Sequence, residues 1–363
     1  MSVIIVSTVG TSLLTNGAPS ELREVLLATA NLPEGAFDPP RLAAVRARAA
    51  EAEEALRAAG DEEIRRMSAE LNGILALDAA RPGVTHYLLH TDTLQGSICA
   101  GLAAGWLARR RCRTVPVRLE RMSTASPAAF AQGVDYLLGW ADLTLPALRR
   151  QGRRIIFNLV GGFKAVQAYC QTLGMFYADE IVYLFEGSSE LIRIPRLPLA
   201  WETEALQRHA AAIARLVHAG VLPAGELAGL PEAYLTLDGD HATLSDWGLL
   251  AWKLHREQLL SGDLLAQPGL HCEDTFRRDY DRRRDRVERA ALQEALGEVA
   301  VLWARGGLQE LRQHTALRYE NYRNRDRVGH FRLVHGMRVS CRPDEHLLRL
   351  RRWGPHDSVN DDP

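Results

Sequence analysis

Three clusters of residues have types and spacings that could do chemistry. The first is Gly161-Gly162-Phe163-Lys164, which closes the apolar run Ile155-Ile156-Phe157-Asn158-Leu159-Val160. A buried strand that breaks at two glycines and feeds a helix presents backbone N–H groups at the helix N-terminus, a site suited to phosphates. Lys164 adds to this. Of the 44 basic residues only Lys164 and Lys253 are lysines, and a lone Lys beside Gly-Gly supplies a compact ammonium where this chain elsewhere uses the guanidinium fork. A tight strand–helix turn with a solvated Lys fits the same residues. The second cluster is Gly10-Thr11-Ser12, a glycine and two hydroxyls just after the short apolar run Val3–Val6. Open α/β sheets bind ligands at such strand ends.

The third cluster is basic. From Arg318 to Arg352 there are ten Arg against four acids, Glu320, Asp326, Asp344 and Glu345. Arg323, Arg325 and Arg327 alternate with Asn324, Asp326 and Val328, and in a strand that spacing puts the three guanidiniums on one face. Arg332 follows, then Arg349 and Arg351, with His356 just beyond. Such a face could hold an RNA backbone and stabilise a phosphorane. RNA cleavage by its own 2′-hydroxyl then needs positioning and a proton donor for the leaving 5′-oxygen. His356, near neutral in pKa, could be that acid or a base. A solvated Arg-rich face is the plain alternative.

Composition narrows the field. The chain has 363 residues, 47% hydrophobic and 25% charged, with a net charge of −1, which points to a soluble globular protein of two or three domains with no global pull on nucleic acid. The five cysteines (Cys99, Cys112, Cys170, Cys272, Cys341) include no CxxC pair, so neither a zinc site nor a disulfide framework is expected. Cys99 and Cys170 fall in apolar helical patterns and should be core. No metal-ligand helix and no Ser-His-Asp spacing stands out, so no metal and no cofactor are expected. No basic region precedes Val3–Val6, so no secretory signal is expected. No apolar stretch reaches the roughly 18 residues of a membrane span. The cytoplasm is the expected location.

The elements that must position these clusters follow from pattern. Strands are expected over Ser2–Val9, Thr85–Leu89, Thr114–Leu119, Arg154–Leu159 and Glu180–Phe185, with Glu190–Ile194 antiparallel to the last across Glu186–Ser189. Helices are expected over Leu22–Ala30, Ser97–Arg110, Pro127–Arg150 and Lys164–Ala178, and one or two long helices over Arg41–Leu77, most of whose charges read as solvated. Strand–helix alternation at this spacing argues a doubly wound, mostly parallel sheet over about 195 residues. Pro195–Pro198 marks a boundary. Beyond it come a helix over Glu202–Ala219, a hairpin turning at Asp238-Gly239, and a helix over Trp247–Leu260, compatible with a small winged-helix-like module that serves as a connector. The last segment reads as an extended stretch Glu273–Tyr280 and a helix over Arg282–Trp303 ended by Gly306-Gly307. Strands follow over Leu317–Arg323, Phe331–His335, Met337–Cys341 and Leu347–Trp353, giving a small α+β domain.

Two motif sets resemble known families. Val3–Leu14, with Asn158-Leu159-Val160-Gly161-Gly162-Phe163-Lys164, resembles the CARF sensor domains of CRISPR-associated proteins over about residues 1–195. The resemblance implies a Rossmann-like homodimer that binds a cyclic oligoadenylate, commonly cyclic tetra-adenylate, as an activator. By that carry-over Gly10, Thr11, Ser12, Gly161, Gly162, Phe163 and Lys164 line the ligand site, with Thr91 and Asp92 as a weaker addition. The tail resembles RelE-type ribonuclease toxins. Val328-Gly329-His330-Phe331-Arg332-Leu333-Val334-His335 is similar to their internal Gly-x-Tyr-Arg strand, and Leu347–Arg351 with Gly354–Val359 to their last strand and ending. His356 stands where that family has Arg, and Asn360 where a Tyr is common. The implied catalytic residues are Arg323, Arg325, Arg332 and His356, with Arg327, Arg349 and Arg351 on RNA. The implied partner is RNA, mRNA on the ribosome in particular.

The expectation is therefore an α/β chain of three parts: a Rossmann-like CARF domain over residues 1–196 with a helical insertion at about 38–80, a winged-helix-like connector over 197–261, and a RelE-like α+β domain over 262–363. Its expected activity is metal-independent endoribonuclease action switched on by a cyclic oligoadenylate in type III CRISPR antiviral defence. Two alternatives stand beside it. One is a HEPN-type ribonuclease, whose loose Arg-x(4–6)-His motif fits Arg325 with His330, or Arg323-Asn324 with His330. The other is a ligand-responsive DNA-binding regulator using the winged-helix-like module.

Overall fold

In the computed structural model the chain divides into two compact units, Met1–Ala200 and Trp201–Pro363. Residues 2–185, 190–323, 325 and 327–363 are described.

The first unit is built on a six-stranded sheet. Its strands are β1 (Val3–Val9), β2 (Thr85–Thr91), β3 (Arg113–Leu119), β4 (Arg154–Asn158), β5 (Glu180–Leu184) and β6 (Leu191–Pro195), in the order β3-β2-β1-β4-β5-β6. The first five are parallel, and β6 pairs antiparallel with β5, Ile181 opposite Ile194. The turn expected at Glu186–Ser189 lies outside the described residues. The helices are α1 (Ser12–Thr15), α2 (Ser20–Thr29), α3 (Pro39–Ala58), α4 (Asp61–Met67), α5 (Ala69–Ala76), α6 (Leu94–Arg109), α7 (Pro127–Arg150) and α8 (Lys164–Tyr177). This mixed α/β unit with its parallel sheet is compatible with a Rossmann-like fold. β1, with Ile4, Ile5 and Val6 at 2% exposure or less, is buried on both faces, which is why it reads as a continuous apolar run. Cys99 and Cys170 are core, as expected.

The expected long helices over Arg41–Leu77 are three. Gly60 and Ser68, both extended, interrupt the pattern, and the Ser68 hydroxyl caps α5 by accepting from Leu71 N at 3.1 Å. That break sets α5 against the sheet.

The second unit opens with α9 (Thr203–Arg208) and α10 (Ala210–Ala219), one expected helix broken at His209, whose ring bonds the carbonyls of Ala205 and Ala228. Strands β7 (Leu222–Pro223), β8 (Leu235–Asp238) and β9 (His241–Leu244) form a small sheet in the order β7-β9-β8. Asp238 pairs with His241, so Gly239-Asp240 is the hairpin turn, with Gly239 at φ +57°. α11 (Asp246–Leu260) follows.

Then come β10 (Leu270–Cys272), α12 (Asp274–Arg282), α13 (Arg286–Gly306), α14 (Leu308–Gln313), β11 (Glu320–Asn321), β12 (Gly329–Arg332), β13 (Met337–Pro343), β14 (Leu348–Pro355) and α15 (His356–Asp361). The five strands form one sheet, β10-β14-β13-β12-β11, antiparallel except for β10 on β14. Phe331, Val339, Cys341 and Trp353 put one face of this sheet into a core with Phe276 and Tyr280 of α12 and Leu292 and Leu296 of α13. Ala290 of α13 belongs to the core around α10 and α11, so residues 201–261 and 262–363 share one unit.

Two expectations fail here. Glu273–Tyr280 is not extended: it is α12, whose Phe276 and Tyr280 sit four apart on the buried face. The strand expected over Leu317–Arg323 shrinks to Glu320–Asn321.

Candidate functional site

The order β3-β2-β1-β4-β5 reverses direction between β1 and β4, which are direct neighbours with Ser7 opposite Asn158. Open α/β sheets take ligands at such a switch point, outside the carboxyl ends of the strands. Gly10, Thr11 and Ser12 follow β1, and Gly161, Gly162, Phe163 and Lys164 join β4 to α8, so the fold brings these seven expected residues to one place.

Much of their hydrogen-bonding capacity is already used. The Gly10 N–H donates to Glu70 Oε1 at 2.6 Å, and the Ser12 hydroxyl to Glu70 Oε2 at 2.7 Å. Ser68 Oγ donates to the same oxygen at 2.8 Å. Glu70 is 2% exposed. A buried carboxylate of α5 therefore sits where a phosphate would find its first donors. The two glycines answer to packing as well. A Cβ on Gly161 would strike the Glu70 carboxyl, and one on Gly162, at φ +103°, would lie 2.8 Å from Thr8 Cβ. The Gly161 carbonyl accepts from Thr8 Oγ1 and, at 2.9 Å, from Gln167 Nε2. Asn158 ties β4 to Ser7 Oγ and to the Glu70 carbonyl, both at 3.0 Å.

What remains open is the start of α8. Phe163 is its N-cap and contributes no side-chain bond, and no acid lies in the first turn. Lys164, the first helical residue, is exposed and makes no ion pair with a described residue. Uncapped amides, the positive helix end and an ammonium together favour an anion. Thr91 and Asp92, at the end of β2, are committed elsewhere: Thr91 Oγ1 lies 3.0 Å from Thr93 Oγ1, and Asp92 takes Arg118 Nε at 2.6 Å and Arg121 N at 2.8 Å. Glu70 escaped the sequence reading because it lies in a helix-rich segment whose charges read as solvated.

In the second unit the alternating triplet is not on a strand. Asn321 pairs with Gly329, and the described residues between them (Tyr322, Arg323, Arg325, Arg327 and Val328) lie outside any strand; Tyr322 N donates to Val328 O at 2.9 Å, Arg327 has φ +55°, and Asn324 and Asp326 lie outside the described residues. The run has no apolar alternation to bury, so the period of two has no face to serve. Arg323, Arg325 and Arg327 are exposed and make no ion pair with a described residue. Arg349 and Arg351 also part company. Arg349 donates to Asp344 at 2.8 Å, while the β13–β14 register shifts at Ser340/Cys341 and Arg351 lies 3.6 Å from Glu273.

The ladder builds a different cluster, on the face away from the core. His330 stands opposite Ser340, Arg332 opposite Arg338, and Arg342 opposite Arg349. Arg332 donates to Glu320 Oε1 at 3.0 Å, and Arg338 to Asn360 Oδ1 at 2.8 Å. Asn360 is on α15, which carries His356 at its start. The Asn360 amide nitrogen is 3.4 Å from both ring nitrogens of His356, and its Oδ1 accepts from Tyr322 OH at 3.0 Å. The Tyr322 and His330 rings lie 4.8 Å apart. Burial and the nearby Arg338, Arg332 and His356 charges hold the His330 imidazole down to about 4 against the pull of Glu320, so it is neutral at neutral pH. Of the expected catalytic residues, Arg332 and His356 join this cluster, and Arg323 and Arg325 stand on the loop beside it. Tyr322, Arg338 and Asn360, which supply its bonds, were not expected as site residues. The His-Phe-Arg alternation of β12 was their one visible trace.

The two alternatives fare differently. A HEPN motif begins a helix, whereas Arg325 lies in a bend and His330 in β12. For DNA binding, the connector offers Arg208, Arg215, Lys253 and Arg256. Arg215 is 9% exposed and paired with Glu226, and Arg256 is paired with Glu294. Among the described residues no group of three metal-ligating side chains converges, and no helix is long and apolar enough to cross a membrane.

Residues 65–197, from α4 to just past β6, match the family described as CRISPR-associated protein (Cas_APE2256). That match supports a CRISPR-linked role for the chain. It takes in Glu70 and Gly161–Lys164 but neither β1 nor the second unit. No curated protein matches the chain.

Proposed function

We propose that this chain is a ligand-gated endoribonuclease of type III CRISPR defence, activated by a cyclic oligoadenylate and acting on RNA, mRNA on the ribosome in particular. The observation that carries the reading is the meeting of Gly10–Ser12 and Gly161–Lys164 at the switch point, the second of these loops lying in the segment that matches a CRISPR-associated family. The phosphates of the ring lie against the α8 N-terminus and Lys164. Repeated phosphates on a symmetric ring suit a two-fold site, so the active form is a homodimer.

The second unit, RelE-like in this reading, performs metal-independent transesterification. The RNA 2′-oxygen attacks phosphorus, the bond to the 5′-oxygen breaks, and the proton lost from the 2′-hydroxyl is balanced by one given to the leaving 5′-oxygen. Arg332, with Arg323 and Arg325 from the adjacent loop, stabilises the phosphorane charge, and His356, half-exposed at the start of α15, moves the proton. Arg327 and Arg349 extend the surface along the RNA backbone.

The test is an RNA cleavage assay with EDTA, with and without cyclic tetra-adenylate, on free RNA and on ribosomes carrying mRNA. Ligand-dependent cleavage in EDTA on either substrate is expected. Cleavage that ignores the ligand removes gating, and none on either substrate removes the nuclease.

A further inference from the structure

The polar face of the terminal sheet contains buried polar groups that have no partner among the described residues. His330 is 4% exposed, yet neither ring nitrogen has a hydrogen-bond partner among the described residues; Glu320 Oε2 stands 3.9 Å from Nε2, beyond bonding reach. Ser340, directly opposite, is fully buried and its hydroxyl is also unpartnered. Arg332 Nε is a fourth such atom. Buried polar atoms are nearly always satisfied, because an orphan costs about 1–3 kcal/mol. Four on three neighbouring ladder residues mark a place kept for something else.

Charge says what that is. Arg332 and Arg338 are direct cross-strand partners, an arrangement that like charges disfavour. Among the described residues one carboxylate, Glu320, touches the pair, through Arg332, while the 8%-exposed Arg338 has the neutral amide of Asn360. The groups facing His330 are Tyr322 and Glu320 from β11 and the loop after it, Arg332 on its own strand, Arg338 on β13 and His356 on α15. Among the described residues two guanidiniums, a hydroxyl and an imidazole stand against one acid, leaving net positive charge and donors converging from two strands.

We infer that Arg332, Arg338, Ser340 and His330 form a seat for a tetrahedral phosphate group, roofed by Tyr322 and Asn360. A phosphate offers oxygens to both guanidiniums and to the Ser340 hydroxyl at once, which a planar carboxylate cannot do as well. The shared chemistry is phosphate, either a phosphodiester of RNA or a free phosphate. The inference deepens the ribonuclease reading and rests on it for the choice of RNA.

The experiment follows the His330 ring by NMR in full-length protein with labelled histidine, the resonance being assigned by its loss in His330→Gln. It is titrated against pH alone, with inorganic phosphate, and with an uncleavable 2′-O-methyl RNA oligonucleotide. An anion in the seat favours the imidazolium, so at least one probe is expected to raise the His330 pKa by about one unit. Arg338→Gln abolishes that rise, and the milder Ser340→Ala weakens probe binding severalfold without lowering thermal stability, since it removes an unpartnered buried hydroxyl. A rise with RNA identifies the diester; a rise with inorganic phosphate alone identifies a free phosphate. No rise with either probe, or a rise that survives both substitutions, overturns the seat. Ligand-dependent cleavage with no rise removes the seat and leaves the nuclease standing. A substitution-sensitive rise without cleavage of any RNA does the reverse.

Discussion

The switch point of the first unit and the polar face of the second both gather hydrogen-bond donors, and they treat those donors in opposite ways. At the switch point the fold supplies its own anion. Glu70 takes the Gly10 amide and the Ser12 and Ser68 hydroxyls, and the glycine loop closes over it. On the polar face the donors are left wanting, with His330 and Ser340 buried and unpartnered among the described residues and two arginines opposite each other. An internally satisfied site holds its shape without ligand. An unsatisfied one stores a cost that a ligand relieves. The first arrangement suits a sensor whose loops must stand ready, and the second suits a surface that acts only when charge arrives.

The largest test of this contrast is Glu70→Ala. It leaves three donors unpaired in a dry site, and a loss of about 3 kcal/mol is expected by chemical unfolding followed at the first unit. Glu70→Gln keeps part of the bonding and is expected to lose less. Stability unchanged in Glu70→Ala would show that the carboxylate is not the brace of the two loops.

Protonation probes both units at once. Burial holds His86 at about 4 in the first unit, where its Nε2 bonds the Ala79 carbonyl, and His330 at about 4 in the second. The unfolded imidazole titrates near 6.5, so between about pH 6.5 and 4 the unfolded state binds more protons than the native one. Stability therefore falls as pH drops through that window, by about 2 kcal/mol for each ring. His86→Gln and His330→Gln should each flatten the acid limb of one unit and leave the other limb in place. A limb that stays steep in both variants would assign acid sensitivity to carboxylates.

Lys164→Ala separates sensing from folding. The side chain is exposed and makes no ion pair with a described residue, so unfolding should be unaltered. Loss of a charge-assisted contact weakens cyclic tetra-adenylate binding by about tenfold or more, read by calorimetry, and RNA cleavage should lose its response to the ligand. Unchanged binding would move the anion site away from the α8 N-terminus.

These regions were unequally legible in the sequence. Strands β1 and β4 show as apolar runs ending in glycine because a parallel sheet buries both faces. Gly10–Ser12 and Gly161–Lys164 could therefore be placed from pattern alone. Glu70 could not: in a stretch of Ala, Glu and Arg it looks like any solvated charge, and only tertiary structure carries it to a loop sixty positions earlier. The triplet Arg323, Arg325 and Arg327 misled for the converse reason, since period-two spacing describes a strand only where one face has something to bury. His330 and Arg332 flank the buried Phe331, so their face was readable, but their partners Ser340 and Arg338 follow from register, which pattern does not fix.

The smallest expected effect tests the polar face by the sign of two changes. Arg342 stands opposite Arg349, which already donates to Asp344 at 2.8 Å. Arg342→Glu replaces a like-charge pair by an opposite one on an exposed ladder position, a gain of about 0.5 kcal/mol in stability. If the face exists to meet a polyanion, the same substitution must cost RNA affinity, and the cost must shrink as salt rises, because fewer counterions are released. Stability and binding then move in opposite directions. That outcome separates a face selected for its ligand from one that is merely Arg-rich. A variant that gains stability and binds RNA as well as the parent at low salt would return Arg342 and Arg349 to the solvated surface.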